Sequence, residues 1–244
     1  MVHEETSTES LPRQRRDYQT GMWAAIVVTI IPILRTGMTF CSIYGGMAFD
    51  QFGSRGLLPM MRLFDYLQSG LSLLWALAYI VVIDSLHSYA PPEKRRWVRV
   101  GLILAVIYLL VLTFNFLTSF APNFRFTLFE RILPARNSTL RPIAVLILIY
   151  ALMWFAALFA IPAFTRGWLE RAIRWCLGIS GVLLIACGAA WVFSPSVQIN
   201  GMLSTASLLI QLTIFPVATA MIAVAFWRRT KVQPADGLSL SSAG

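Results

Sequence analysis

The sequence predicts an all-α integral membrane protein, a six-transmembrane-helix bundle with both termini on the cytoplasmic side (N-in/C-in). Three observations predict it. Six apolar runs follow one another between Met22 and Trp227, each near the roughly 20 residues that a helix needs to cross a hydrocarbon core. Only 13% of the 244 residues are charged and 57% are hydrophobic, whereas a water-soluble domain carries about 25% charge. Lys and Arg fall almost entirely between the apolar runs, and they are concentrated in alternate connections.

Residues 1–21 are Glu/Ser/Thr-rich and then basic at Arg13, Arg15 and Arg16. They lack the short apolar core of a signal peptide and read as a disordered cytoplasmic tail, leaving targeting to the first span. That span, Met22–Phe49, carries Pro32 and Arg35 near its middle. An arginine there costs at least about 2.5 kcal/mol on insertion scales, so the fold must receive it. The connection Asp50–Tyr66 is too short and too charged to cross. Leu57, Leu58, Met61 and Phe64 would line one face of a short interfacial helix, with Arg62 and Asp65 paired, and a plain loop fits equally well.

The second run, Leu67–Tyr89, holds Asp84 and His87 near its end, and a basic turn, PPEKRRWVR, follows it. Val100–Phe120 is the third run and contains Asn115. Ala121–Arg141 is the longest internal loop, rich in Phe and Arg. The fourth run, Pro142–Phe164, leads through TRGWLERAIR to the fifth, Trp175–Phe193. An uncharged loop, Ser194–Met202, precedes the sixth run, Leu203–Trp227, which contains Gln211 and Pro216. Residues 22–227 thus form one transmembrane domain, and residues 228–244 read as a second disordered cytoplasmic tail.

Charge sets the expected orientation. With both termini inside, cytoplasmic segments hold 13 of the 20 Lys and Arg residues, outer loops hold 6, and Arg35 is the remaining one. The sequon Asn137-Ser138-Thr139 then lies in an outer loop and is a candidate glycosylation site, although it sits only a few residues from the fourth span.

Absences narrow the function classes. The net charge of +9 is explained by membrane orientation, so no nucleic-acid partner is expected. Cys41, Cys176 and Cys187 are odd in number, lie in or at the ends of apolar runs and form no CxxC pair, which gives neither a disulfide framework nor a metal site. The only lysines, Lys94 and Lys231, are in polar segments, so no intramembrane Schiff base is available. His3 and His87 are the only histidines, and no HExxH, P-loop or dinucleotide motif occurs. Ser180, within Gly178–Gly181, would need a general base that His87 is too far toward the membrane boundary to supply. Gly178, Gly181 and Gly188 instead mark a helix-packing face. Trp23, Trp97, Trp168 and Trp227 read as interfacial anchors. The chain is therefore expected to use no cofactor and no metal, and no residue is assigned a catalytic role.

Arg35 is the candidate site. At 1.5 Å per residue it lies about 20 Å from the cytoplasmic end of its span, and Gln211 lies about 12 Å from the outer face, so the two depths nearly coincide in a core about 30 Å thick. Asn115 is expected slightly further out, within reach of a long guanidinium. Asp84, a possible charge partner, should sit about 10 Å from Arg35 in depth, so pairing needs snorkelling or tilt. Pro32 frees the carbonyl of Val28, and Pro216 that of Leu212, which offers a five-donor guanidinium further acceptors. A pocket built from Arg35, Gln211 and Asn115 would suit an anionic or carbonyl-bearing ligand. A purely structural hydrogen-bonded hub is the competing expectation.

The functional expectation is a multi-pass, non-enzymatic subunit, scaffold or small-ligand-binding protein. Its partners would be the lipid bilayer, other membrane proteins, or a small lipophilic or anionic ligand. A small transporter or channel-like protein selecting an anionic solute through Arg35 is one alternative. An intramembrane enzyme on a lipophilic substrate is another, with acid–base work falling to Asp84 or to Asp50, Asp65 and Glu130.

Overall fold

A helix ends where its backbone hydrogen bonds end, not where hydropathy falls, and here most helices outrun their apolar cores. The computed structural model describes residues 10–52, 58–119, 141–165, 167–193 and 197–232, with side chains for 14–38, 66–117, 149–165, 167–186, 189 and 213–231. Helix α1 spans Ser10–Phe52 and α2 spans Leu58–Tyr89. A 3-10 turn, Pro92–Lys94, leads into α3, Arg95–Ser119. Helix α4 runs over Arg141–Ala160 and ends in a second 3-10 turn, Ile161–Ala163. Helix α5 covers Trp168–Phe193 and α6 covers Val197–Val232. Among the described residues there is no strand.

Three helices run beyond the apolar runs of the sequence reading. The tail expected to be disordered is helical from Ser10. Its Tyr18 is 5% exposed and packs against Tyr89 and Phe226, with ring centroids 6.2 and 6.1 Å away, while Ser88 Oγ donates to Asp17 at 3.0 Å. At the other end, helix α6 continues through Arg228–Lys231. Helix α2 begins at Leu58, so that part of the Asp50–Tyr66 connection is continuous with the second apolar run. Gly167 at φ +90° supplies the left-handed residue that turns the chain into α5, and its carbonyl accepts the first bond, from Arg171 N at 3.1 Å.

Each described helix packs on its predecessor, and α6 returns to α1, so these six described helices close a ring. Small residues allow the tight approaches. A Cβ on Gly21 of α1 would come within 2.5 Å of Ser85 Cβ on α2, and one on Gly101 of α3 within 2.9 Å of the Ala156 carbonyl on α4. Gly181 and Gly178 face Leu158 and Ile161, as a packing face should.

The ring interior is aromatic. Trp75 of α2 lies 5.7 Å from Phe215 of α6 and 6.4 Å from Tyr108 of α3, and Phe215 is 4.9 Å edge-on from Trp154 of α4. The outside is apolar too: Leu34, Leu74, Leu110, Phe155, Val182 and Val217, one on each helix, are all at least 41% exposed. A soluble monomer rarely exposes apolar surface on this scale. Three stretches, Gln14–Met38, Tyr66–Tyr89 and Pro92–Leu117, are long and apolar enough to cross a membrane, and Ile149–Ala163 is a shorter apolar segment. Over its described residues the chain is all-helical, with segments of transmembrane character.

Candidate functional site

The site begins with a missing backbone donor. Pro32 has no N–H to give the Val28 carbonyl four residues earlier, and Val28 is fully buried. That carbonyl is taken by the indole of Trp75, whose Nε1 donates to it at 3.0 Å across the α1–α2 contact. The sequence reading offered this acceptor to Arg35; the structure gives it to Trp75. On the α6 side, Thr29 Oγ1 and Thr219 Oγ1 lie 2.8 Å apart, each also bonded to its own helix backbone. These contacts set the heights of α2 and α6 relative to α1.

Arg35 crosses the interior. Its Nη2 donates to Tyr150 Oη at 3.5 Å, a long bond to α4, a helix that does not flank α1 in the ring. The Tyr150 ring lies 6.5 Å from that of Tyr108. Tyr108 is fully buried and Trp154 is 2% exposed, yet the Tyr108 hydroxyl and Trp154 Nε1 have no hydrogen-bond partner. Trp154 follows Tyr150 by four residues, so both are on one face of α4. Tyr79 shows the usual outcome, its hydroxyl donating to the Met153 carbonyl at 3.0 Å. An unmade bond at a buried donor costs about 1–3 kcal/mol, so two of them near an arginine are chemically conspicuous. Together Arg35, Tyr108, Tyr150 and Trp154 form a donor-rich interior suited to an acceptor.

The other expected residues are distributed as follows. Counted outward from the Thr29–Thr219 contact at 1.5 Å per residue, Arg35 is about 9 Å along α1 and Gln211 about 12 Å along α6, so their backbones are at neighbouring heights. The side chain of Gln211 lies outside the described residues. Asn115 is half-buried with its Oδ1 removed from solvent, about 10 Å further along α3 than Tyr108. Asp84 is exposed on α2, and from the Trp75–Val28 contact its backbone is about 24 Å from that of Arg35 along the bundle. The structure does not bring Asp84 to Arg35. Asn137 lies outside the described residues.

A second polar region occupies the end of the ring where α1 begins. The buried Glu170, 8% exposed on the first turn of α5, accepts a hydrogen bond from Tyr89 Oη, and the Arg229 guanidinium lies 5.1 Å over the Tyr89 ring. Gln14 Nε2 donates to Tyr18 Oη at 2.8 Å. Two cavities, of about 290 and 220 Å³, flank this cluster and share Tyr89, Glu170 and Arg229 as a wall.

Of the residues weighed for catalysis, Asp84 is exposed, and the side chains of Asp50, Asp65 and Glu130 lie outside the described residues. Ser180 is fully buried and donates to the Cys176 carbonyl at 2.6 Å, while His87 Nε2 accepts from Arg99 Nε at 3.0 Å. Among the described residues, no group of three or more His, Cys, Asp and Glu is placed to hold a metal ion.

The sequence reading missed Tyr108, Tyr150, Trp75 and Trp154, although one signal for them was present. Interfacial anchoring accounts for Trp and Tyr at span ends but not for these, which fall well inside apolar runs. Glu170 was hidden in a stretch that reads as a basic turn. No family model matches the chain, and neither a curated protein nor a solved structure matches it.

Proposed function

We propose that the chain is a multi-pass membrane protein with six spans and both termini cytoplasmic, acting without catalysis as a ligand-binding subunit. Exposed apolar side chains on all six helices support the six spans. The segments carrying most of the Lys and Arg meet at one end of the ring, through Tyr18 and Ser88, Tyr89 and Glu170, and Arg229 and Tyr89, which supports a single cytoplasmic face.

One observation carries the ligand-binding role. Arg35 reaches across to Tyr150 beside two buried donors, Tyr108 Oη and Trp154 Nε1, that the protein itself leaves unmatched. A small anionic or carbonyl-bearing molecule would answer all of them at once. Asn115, half-buried on α3, lies toward the outer end of the same bundle, and the backbone of Gln211 is at a height near that of Arg35.

The test is native mass spectrometry of the full chain purified in nanodiscs, with Arg35→Gln and Tyr108→Phe beside it. The expected result is a bound small molecule in the wild type that both folded variants lose. Identical bound species in all three would overturn the ligand site. Solute flux through liposomes that disappears in Arg35→Gln would replace binding with transport. A reporter at Asn137 that faces the cytoplasm would reverse the orientation.

A further inference from the structure

We propose that the basic end of the ring holds a specific site for the phosphate headgroup of an anionic phospholipid, separate from the interior site around Arg35. The larger cavity, about 290 Å³, is walled by Gln14 and Tyr18 of α1, Ser88 and Tyr89 of α2, Arg95 at the start of α3, Thr165 after α4, Glu170 of α5 and Arg229 of α6. Such convergence of six segments makes a built concavity rather than a basic surface.

Its charge is matched to one ligand class. The wall carries two guanidinium groups, Arg95 and Arg229, and one carboxylate, Glu170. The carboxylate is turned to the Tyr89 hydroxyl, and Arg229 packs over the same ring, so this pair is largely answered within the protein. Arg95 is half-buried and uses only Nε, donating to the Ala90 carbonyl at 3.4 Å, which leaves its two terminal nitrogens for the cavity. One net positive charge and a planar fork of donors fit a singly charged phosphodiester. The Thr165 hydroxyl and the Gln14 amide line the same space and add hydrogen-bonding capacity, while the Ser88 hydroxyl is committed to Asp17.

The smaller cavity, about 220 Å³, selects the lipid over a free phosphate. It shares Tyr89, Glu170 and Arg229 with the larger cavity and is lined besides by Trp168, Leu169, Ala225 and Arg228. Trp168 is 71% exposed there, as expected for an indole at the membrane interface. A polar cavity joined to an apolar one through a shared wall accommodates a headgroup and the start of an acyl chain. The lipid source rests on this end lying at the headgroup level, and the phosphate chemistry does not.

The experiment uses the full chain in nanodiscs of phosphatidylcholine, titrated with phosphatidylglycerol and, separately, with inorganic phosphate. Native mass spectrometry counts retained lipid, and thermal unfolding confirms folding. One phosphatidylglycerol is expected to stay bound per chain. Arg95→Gln should weaken its retention about tenfold, Arg95→Lys should restore part of it, and Arg96→Gln and Arg171→Gln, which remove equal charge outside the cavity, should change it less than about twofold. Equal losses in all of the glutamine variants would show general attraction to an anionic surface and overturn the site. Protection by inorganic phosphate without lipid retention would overturn the lipid assignment.

Discussion

Trp75 Nε1 donates at 3.0 Å to the carbonyl of Val28, the acceptor that Pro32 leaves unmatched one turn further along α1. A helix break on one element is thus healed by a side chain of its neighbour, and the α1–α2 register is set in the process. Trp75→Phe is expected to destabilise the protein by about 1–3 kcal/mol, because the fully buried carbonyl loses its donor. In a Pro32→Ala background the new Ala N–H supplies that donor, so the same Trp75→Phe change should cost less. Unfolding of the four proteins in bicelles gives the coupling directly. Additive effects would mean that the indole acts by packing alone.

The ring closure makes a separate prediction. Thr29 and Thr219, 190 residues apart, touch through hydroxyls 2.8 Å apart. In a background with Cys41, Cys176 and Cys187 replaced by Ala, the pair Thr29→Cys and Thr219→Cys should crosslink with a short reagent, seen as a mobility shift on a denaturing gel. A pair one turn out of register, Thr29→Cys with Ala223→Cys, should crosslink far less. Equal yields would mean that α1 and α6 slide.

Helix contacts through glycine predict a contrast. A Cβ on Gly101 would meet the Ala156 carbonyl at 2.9 Å, while one on Gly70 meets nothing within 4 Å. Gly101→Ala should therefore destabilise by about 1–3 kcal/mol through overpacking. Gly70→Ala should be neutral or stabilise by up to about 1 kcal/mol through helix propensity. Thermal unfolding of the two variants side by side decides it.

At the basic end, Tyr89→Phe removes the hydroxyl that Glu170 accepts from. Leaving a carboxylate at 8% exposure without that donor should cost about 1.5–3 kcal/mol. Tyr89→Phe combined with Glu170→Leu should recover part of the loss, since the carboxylate that lost its donor is then gone as well. Stability measured for the single and double variants tests this, and a double variant as weak as the single one would contradict it.

The candidate interior was partly legible in the primary structure. Arg35 stood out because one charge inside an apolar run is expensive wherever it lies, and its height along α1 close to that of Gln211 followed from residue counting alone. Tyr150 did not stand out. A tyrosine in an apolar run is cheap, and whether its hydroxyl meets Arg35 depends on how α4 is rotated and on Arg35 reaching past its ring neighbours. Asp84, which residue counting already set about 10 Å from Arg35 in depth, lies further off still, because the Trp75–Val28 contact sets the height of α2.

By itself the sequence determined that this chain is helical and enters a membrane, because hydropathy sums over contiguous residues and needs no knowledge of neighbours. It also determined where a buried charge and two helix-interrupting prolines would demand compensation. Only the tertiary structure decided which groups provide it. Trp75 answers Pro32, Tyr150 meets Arg35, and Tyr89 covers Glu170 through contacts between residues at least 47 positions apart. Those contacts depend on the rotation and axial register of packed helices, and a one-dimensional pattern does not encode either one.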